Sequence, residues 1–97
     1  MAVLRDYELV MILSPEVEDS AVPTVLERVG KYVQSHGGEV VQADNWGRRK
    51  FAYPIKRHGE GNYVRSQLKL APESTRELES NLRVTEEILR HLLIRKG

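Results

Sequence analysis

Two runs of extended-pattern residues, each followed within a few positions by a helical-period segment and then by a further extended run, constrain this chain more than any other feature it has. A strand points successive side chains to opposite faces, whereas a helix returns to one face every three to four residues, so each segment matches one template only. The first run is Arg5 to Leu13, where Tyr7, Leu9, Met11 and Leu13 alternate with Glu8, Val10 and Ile12. Both sides are apolar after Glu8, which predicts a central strand with something covering even its less buried face. Ser14-Pro15 ends it. Asp19 or Ser20 then offers an N-cap, and Pro23 falls in a first helical turn where a missing N–H costs little. Val22, Val25, Leu26, Val29 and Val33 follow at helical spacing, and Gly37-Gly38 supplies a left-handed stop.

From Glu39 to Ile55 the pattern is extended but irregular. Val40-Val41 and Phe51-Ala52-Tyr53 are strand-like while Asn45 to Gly47 interrupts the alternation, which predicts a bulged or bent strand. A polar turn, Lys56 to Asn62, contains Gly59 and Gly61. Tyr63 to Leu70 then alternates cleanly, with Val64, Ser66, Leu68 and Leu70 on one face and Tyr63, Arg65, Gln67 and Lys69 on the other. The two segments are expected to form a hairpin with a longer loop. Pro72 closes the strand, and Ser74 with Glu77 three residues later forms a capping-box signature before a short helix carrying Leu78 and Leu82. Glu87 to Lys96, rich in Ile and Leu and without breakers, reads as a last strand, although Ile88 to Leu93 also fits a helix. As a strand it places Ile88, Leu92 and Ile94 on a side with Arg90, and Leu89 and Leu93 on a side with His91.

The order strand, helix, strand, strand, helix, strand predicts an α+β domain. Two interleaved strand-helix-strand units with right-handed crossovers give a four-stranded antiparallel sheet with both helices on one face, the ferredoxin-like arrangement, and one sheet face left open. The 97 residues are expected to form a single domain spanning 1–97, since a chain of this length buries about 60–70% of its unfolded surface around one modest core. There is no cysteine, hence no disulfide or thiolate metal site, which fits a reducing compartment. No apolar run reaches the roughly 18–20 residues of a membrane span, and the N-terminus lacks a signal-peptide pattern. The expectation is a soluble, cytoplasmic protein without a membrane partner.

Fifteen Lys and Arg against fourteen Asp and Glu leave a net charge of +1, which hides a segregated pattern. Residues 1–44 carry −5, residues 45–70 carry +6, residues 71–87 carry −3 and residues 88–97 carry +3. A nearly neutral chain can still present one basic face. On the expected topology the basic blocks lie on strands and the hairpin, and the acidic blocks ride mostly on the helices.

The densest basic stretch is Arg48-Arg49-Lys50, with Lys56 and Arg57 on the following loop. Such cations neutralise phosphates and release counterions, the main source of sequence-independent nucleic-acid affinity, and Arg adds a planar donor fork. Neighbours on a strand face opposite ways, so Arg48 and Lys50 are expected on the surface opposite Arg49 unless the strand bends. The plain alternative is a charged edge strand that deters aggregation. Arg5 and Arg90, on neighbouring strands, are a second candidate phosphate patch; Arg95 and Lys96 fit a solvated strand end equally well. Trp46, Phe51, Tyr53 and Tyr63 invite comparison with a base-stacking platform, but the strand from Tyr63 offers one aromatic rather than a set, and Tyr53 is expected to be structural, its ring packed and its hydroxyl tied down. Trp46 either meets a partner protein or covers the bulge. His36, His58 and His91 show no metal spacing, no catalytic triad pattern is present, and no glycine-rich phosphate loop occurs, so neither a cofactor nor an enzymatic activity is expected. Read from the residues alone, the chain is a small RNA- or protein-binding module.

The stretch Gly47-Arg48-Arg49-Lys50-Phe51-Ala52-Tyr53-Pro54-Ile55-Lys56 resembles the signature of the bacterial small-subunit ribosomal protein S6 family, with Phe51 where Leu is usual. Tyr7-Glu8 in a first strand, Ser14-Pro15 after it, the glycine before Asn62-Tyr63 and the Arg90 to Ile94 ending extend the resemblance over nearly the whole chain; an acidic or flexible tail seen in some members is missing. The resemblance implies a ferredoxin-like structural constituent of the ribosome, bound to the central domain of small-subunit ribosomal RNA together with ribosomal protein S18. On that reading Arg5, Arg48, Arg49, Lys50, Lys56, Arg57 and Arg90 contact ribosomal RNA, and Val10, Ile12 and Trp46 meet the partner protein. No small-molecule substrate is expected. The rivals are a homodimerising regulatory domain of the same fold that binds a metabolite between subunits and, further off, a small enzyme.

Overall fold

In a computed structural model, which describes residues 3–96, the alternation of the first run becomes strand β1 (Arg5–Leu13). Its Tyr7, Leu9, Met11 and Leu13 are all buried on one face. β1 lies inside the sheet, antiparallel to β3 (His58–Leu70) on one side and to β4 (Ile88–Arg95) on the other; β2 (Glu39–Ile55) pairs outside β3, giving the order β2-β3-β1-β4. Helices α1 (Val22–Ser35) and α2 (Thr75–Val84) cover the same face. Val22, Val25, Val29 and Val33 of α1 and Leu78 and Leu82 of α2 join the β1 residues, Val64, Leu68, Leu70 and Ile88 in one buried cluster. Each large apolar side chain buried there contributes about 1.5–3 kcal/mol of transfer free energy. The two-residue and 3.6-residue periods therefore meet in one core, and the α+β ferredoxin-like architecture is the one expected.

The helix ends differ from the sequence expectation at the N-terminal side. Neither Asp19 nor Ser20 caps α1. A 3-10 turn over Asp19–Ala21 precedes it, and the Val22 N–H bonds to the Asp19 carbonyl, so backbone acceptors take up donors that a side-chain cap would have served. Ser74 likewise makes no side-chain cap on α2, and the capping box does not form. Its expected partner Glu77 instead holds His36, with 2.8 Å between Oε2 and Nε2. The C-terminal stop of α1 is as expected: Gly37 sits at φ 80°, its N–H bonds to the Gln34 carbonyl at 3.0 Å, and the Gly38 N–H reaches the Val33 carbonyl at 3.0 Å.

The hairpin has no long loop. Ile55 pairs with His58, so Lys56 and Arg57 alone make the turn, and His58 to Asn62 belongs to β3. Gly61 reads as a turn glycine but serves a close approach, since a Cβ there would lie 2.6 Å from the Leu13 carbonyl oxygen. The facing of β4 is also corrected. Leu13 pairs with Ile88 but Ile12 pairs with Arg90, a bulge that skips Leu89. Ile88 therefore joins the core instead of sharing the open side with Arg90, Leu92 and Ile94.

A candidate nucleic-acid and protein interface

β1 accompanies β3 only as far as the pair Leu13–Asn62. Beyond it, β2 and the start of β3 continue as a two-stranded arm with Lys56 and Arg57 at its tip, in a molecule 43 × 25 × 23 Å across. β2 bulges three times against β3, skipping Val41, Trp46 and the run from Phe51 to Pro54. Bulges bend and twist a strand, which accounts for the irregular pattern in the sequence and bars a long flat edge.

The structure divides the cations of this arm. Arg48 pairs with Asn62, and its guanidinium donates to the Pro15 carbonyl at 3.2 Å, with Glu60 at 3.7 Å and Asp19 at 3.9 Å. It anchors the arm to the loop after β1. Arg49 lies on the other side, 5.8 Å from the centroid of the Tyr63 ring, a cation–π distance. Lys50, Lys56 and Arg57 are exposed and have no salt-bridge partner among the described residues. Arg5 and Arg90 do not form a patch. Arg5 pairs with Leu70 near one end of the sheet, and Arg90 pairs with Ile12, seven positions along β1, about 23 Å away at ~3.3 Å per residue and on the opposite face.

On the open face, Glu8 is gripped by Arg65, whose Nε and second guanidinium nitrogen donate at 2.7 and 3.3 Å, with Lys96 Nζ at 3.6 Å. The hydrogen bond from Arg65 holds the Glu8 carboxyl below the ordinary carboxylate range. Two of the face's cations are thereby committed internally. Beside them Val10 pairs with Leu92 and Glu8 with Ile94, so half-buried Val10 adjoins Leu92, 57% exposed, and Ile94, 43% exposed. Ile12 is on the same face but buried. Trp46 is exposed on the outer strand β2, with β3 between it and β1, about 10 Å away at ~4.8 Å per strand, so it does not join Val10 and Ile12 in one row. Leu92 and Ile94 are additions to the expected partner surface: the sequence puts them on a side with Arg90, but only the register of β4 against β1 sets them beside Val10.

Tyr53 overturns its expectation. It is 82% exposed and its hydroxyl has no hydrogen bond among the described residues, because it sits in the outward bulge of β2. Phe51 and Tyr63, by contrast, come together with ring centroids 6.1 Å apart and planes at 55°. The acidic blocks are not helical either. α1 carries Glu27 against Arg28 and Lys31, and α2 carries Glu77 and Glu79 against Arg76 and Arg83, while Glu16, Glu18, Asp19, Glu73, Glu86 and Glu87 occupy the segments flanking the helices. Glu87 there pairs with Arg28, whose hydrogen bond lowers the carboxyl's pKa. No group of three or more candidate metal ligands occurs, and no helix is long and apolar enough to cross a membrane, among the described residues.

The fold and this surface define a ferredoxin-like binding domain that combines a cationic hairpin arm with an open sheet face. Comparison with known proteins gives the family. The model of the family described as ribosomal protein S6 matches residues 6–95. The small ribosomal subunit protein bS6 of Desulforamulus reducens is 38% identical over 97% of this chain and 99% of its own length, and that of Carboxydothermus hydrogenoformans is 40% identical over 96% and 97%. A crystal structure of 30S ribosomal protein S6 from Thermotoga maritima is 34% identical, covers 97% of this chain and 89% of its own, and superposes with a TM-score of 0.87. The chain belongs to the ribosomal protein S6 family.

Proposed function

We propose that this chain is a structural constituent of the small ribosomal subunit, in the cytoplasm, and that it binds small-subunit ribosomal RNA jointly with ribosomal protein S18. The family match over nearly the whole chain carries this reading. Its mechanism is assembly rather than turnover. Arg49, Lys50, Lys56 and Arg57 on the projecting arm contact RNA phosphates, with Arg90 on the open face beside them and Arg5 as a separate contact at the far end of the sheet. Arg48 contributes chiefly by fixing the arm's direction through Pro15. Val10, with the neighbouring Leu92 and Ile94, receives the partner protein, the buried Ile12 borders that surface on the same face, and Trp46 offers a second contact along the outer edge.

The test is binding of the purified chain to a central-domain fragment of small-subunit ribosomal RNA, with and without S18, followed by fluorescence anisotropy over a range of salt. The expected result is an affinity that rises when S18 is added and falls steeply with salt. Absence of RNA binding in both arms, even at low salt, would overturn the reading.

A further inference from the structure

The bulge of β2 opens a cleft between the arm and the open face, of about 540 Å³, whose walls include Phe51, Tyr53 and Tyr63 and whose other boundaries include Ile12, Lys50 and Arg90. Three aromatic rings, two cations and no carboxylate meet there. The cleft is an open groove, not an enclosed pocket, with room for one planar group along its wall. The Phe51 and Tyr63 rings are tilted to each other, Arg49 approaches the Tyr63 ring, and Tyr53 stands at the rim almost wholly in solvent. Tyr53 therefore leaves its ring face free at the edge of a cleft that holds two further rings, Lys50 and Arg90, a combination that suits a flat, anionic ligand. Aromatic faces beside cations decide the class of occupant: every nucleotide couples a π-face for the rings to a phosphate for Lys50 and Arg90, whereas a polypeptide segment offers that pairing only where an aromatic residue and an acidic one happen to adjoin.

We propose that this cleft is a nucleotide subsite, in which one unstacked base of the bound RNA lies against the aromatic walls while Lys50 and Arg90 take its phosphates. The proposal rests on the reading of the chain as an RNA-binding protein. Stacking is largely independent of salt, whereas phosphate neutralisation is not, so the two contributions separate experimentally.

The experiment measures binding of the chain with S18 to the central-domain RNA fragment, at several salt concentrations, for wild type, Tyr53→Ala, Tyr53→Phe and Lys56→Ala/Arg57→Ala. Tyr53 is exposed, so its variants should keep the wild-type thermal transition. The expected result for Tyr53→Ala is an affinity about tenfold weaker at every salt concentration with an unchanged salt slope, within the range of one missing base–aromatic stack. Tyr53→Phe should bind as wild type. An unchanged affinity for Tyr53→Ala, beside a weakened and flatter response for the tip variant, would overturn the subsite while leaving RNA binding in place. A loss confined to S18 binding measured without RNA would show that a protein segment fills the cleft and would likewise overturn it. No RNA binding by the wild-type pair would overturn both.

Discussion

Lys56 and Arg57 turn the chain with φ of 47° and 73°, the pair of positive values that a two-residue hairpin needs and that Asn-Gly adopts far more readily. Two strained cations at the tip of an arm are a poor choice for stability and a good one for meeting phosphates. Lys56→Asn/Arg57→Gly is therefore expected to stabilise the fold by about 1 kcal/mol in urea denaturation while weakening RNA binding. The same pair explains why the sequence points to a longer loop than the hairpin has. Lys-Arg carries no turn signal, whereas Gly59 and Gly61 further on do, although both lie inside β3. Gly61→Ala should reveal the true reason for that glycine, destabilising the fold by about 1–3 kcal/mol as the added carbon forces Leu13 away. Tyr53 is illegible in the sequence for a related reason: alternation assigns faces only while the register holds, and Tyr53 lies in a bulge.

The strands and helices themselves are largely readable, because each run of alternation or helical spacing is long enough to exclude the other template. β1 and β2 begin and end where the pattern places them. The helix N-termini are not readable, since side-chain caps depend on where a side chain is drawn by tertiary contacts. Glu77 is the instructive case, for it leaves its own helix terminus to join α2 to the end of α1. There His36 Nδ1 lies 3.0 Å from the Tyr32 carbonyl and Nε2 reaches Glu77, while the Tyr32 hydroxyl donates to the Glu77 carbonyl at 3.1 Å. With both ring nitrogens facing acceptors, the charged imidazole is favoured, first by the Tyr32 carbonyl and then by Glu77, and the pKa of His36 is raised. A raised value means that the folded state binds the proton more tightly than the unfolded chain. The contribution is fully present below the ordinary histidine pKa and disappears as pH rises through the folded value. Urea denaturation at about pH 5.5 and about pH 8 should show wild type losing stability towards the higher pH relative to His36→Gln; parallel behaviour of the two proteins would rule out a latch at this junction.

The whole molecule explains how a chain of net charge +1 can serve RNA. Its positive residues concentrate on the arm and along β4, its negative ones largely in the segments flanking the helices and in internal pairs such as Glu8 with Arg65. That arm is half legible. The basic cluster is plain in the sequence, but its division, with Arg48 bound to Pro15 and Arg49 over Tyr63, needs the pairing of β2 with β3. Arg5 and Arg90 stand apart although their strands are adjacent, because neighbouring strands in a sheet need not bring a given pair of residues to the same level. On the proposed reading the arm is the principal electrostatic contact with RNA. The direct test compares the salt dependence of RNA binding, in the presence of S18, for wild type and for Arg49→Ala/Lys50→Ala/Lys56→Ala/Arg57→Ala, with the fold monitored by circular dichroism. Weaker binding is expected, with a slope of log K against log salt shallower by about 0.7–0.9 for every phosphate that the variant no longer neutralises. An affinity and a slope equal to those of wild type would contradict the arm's role.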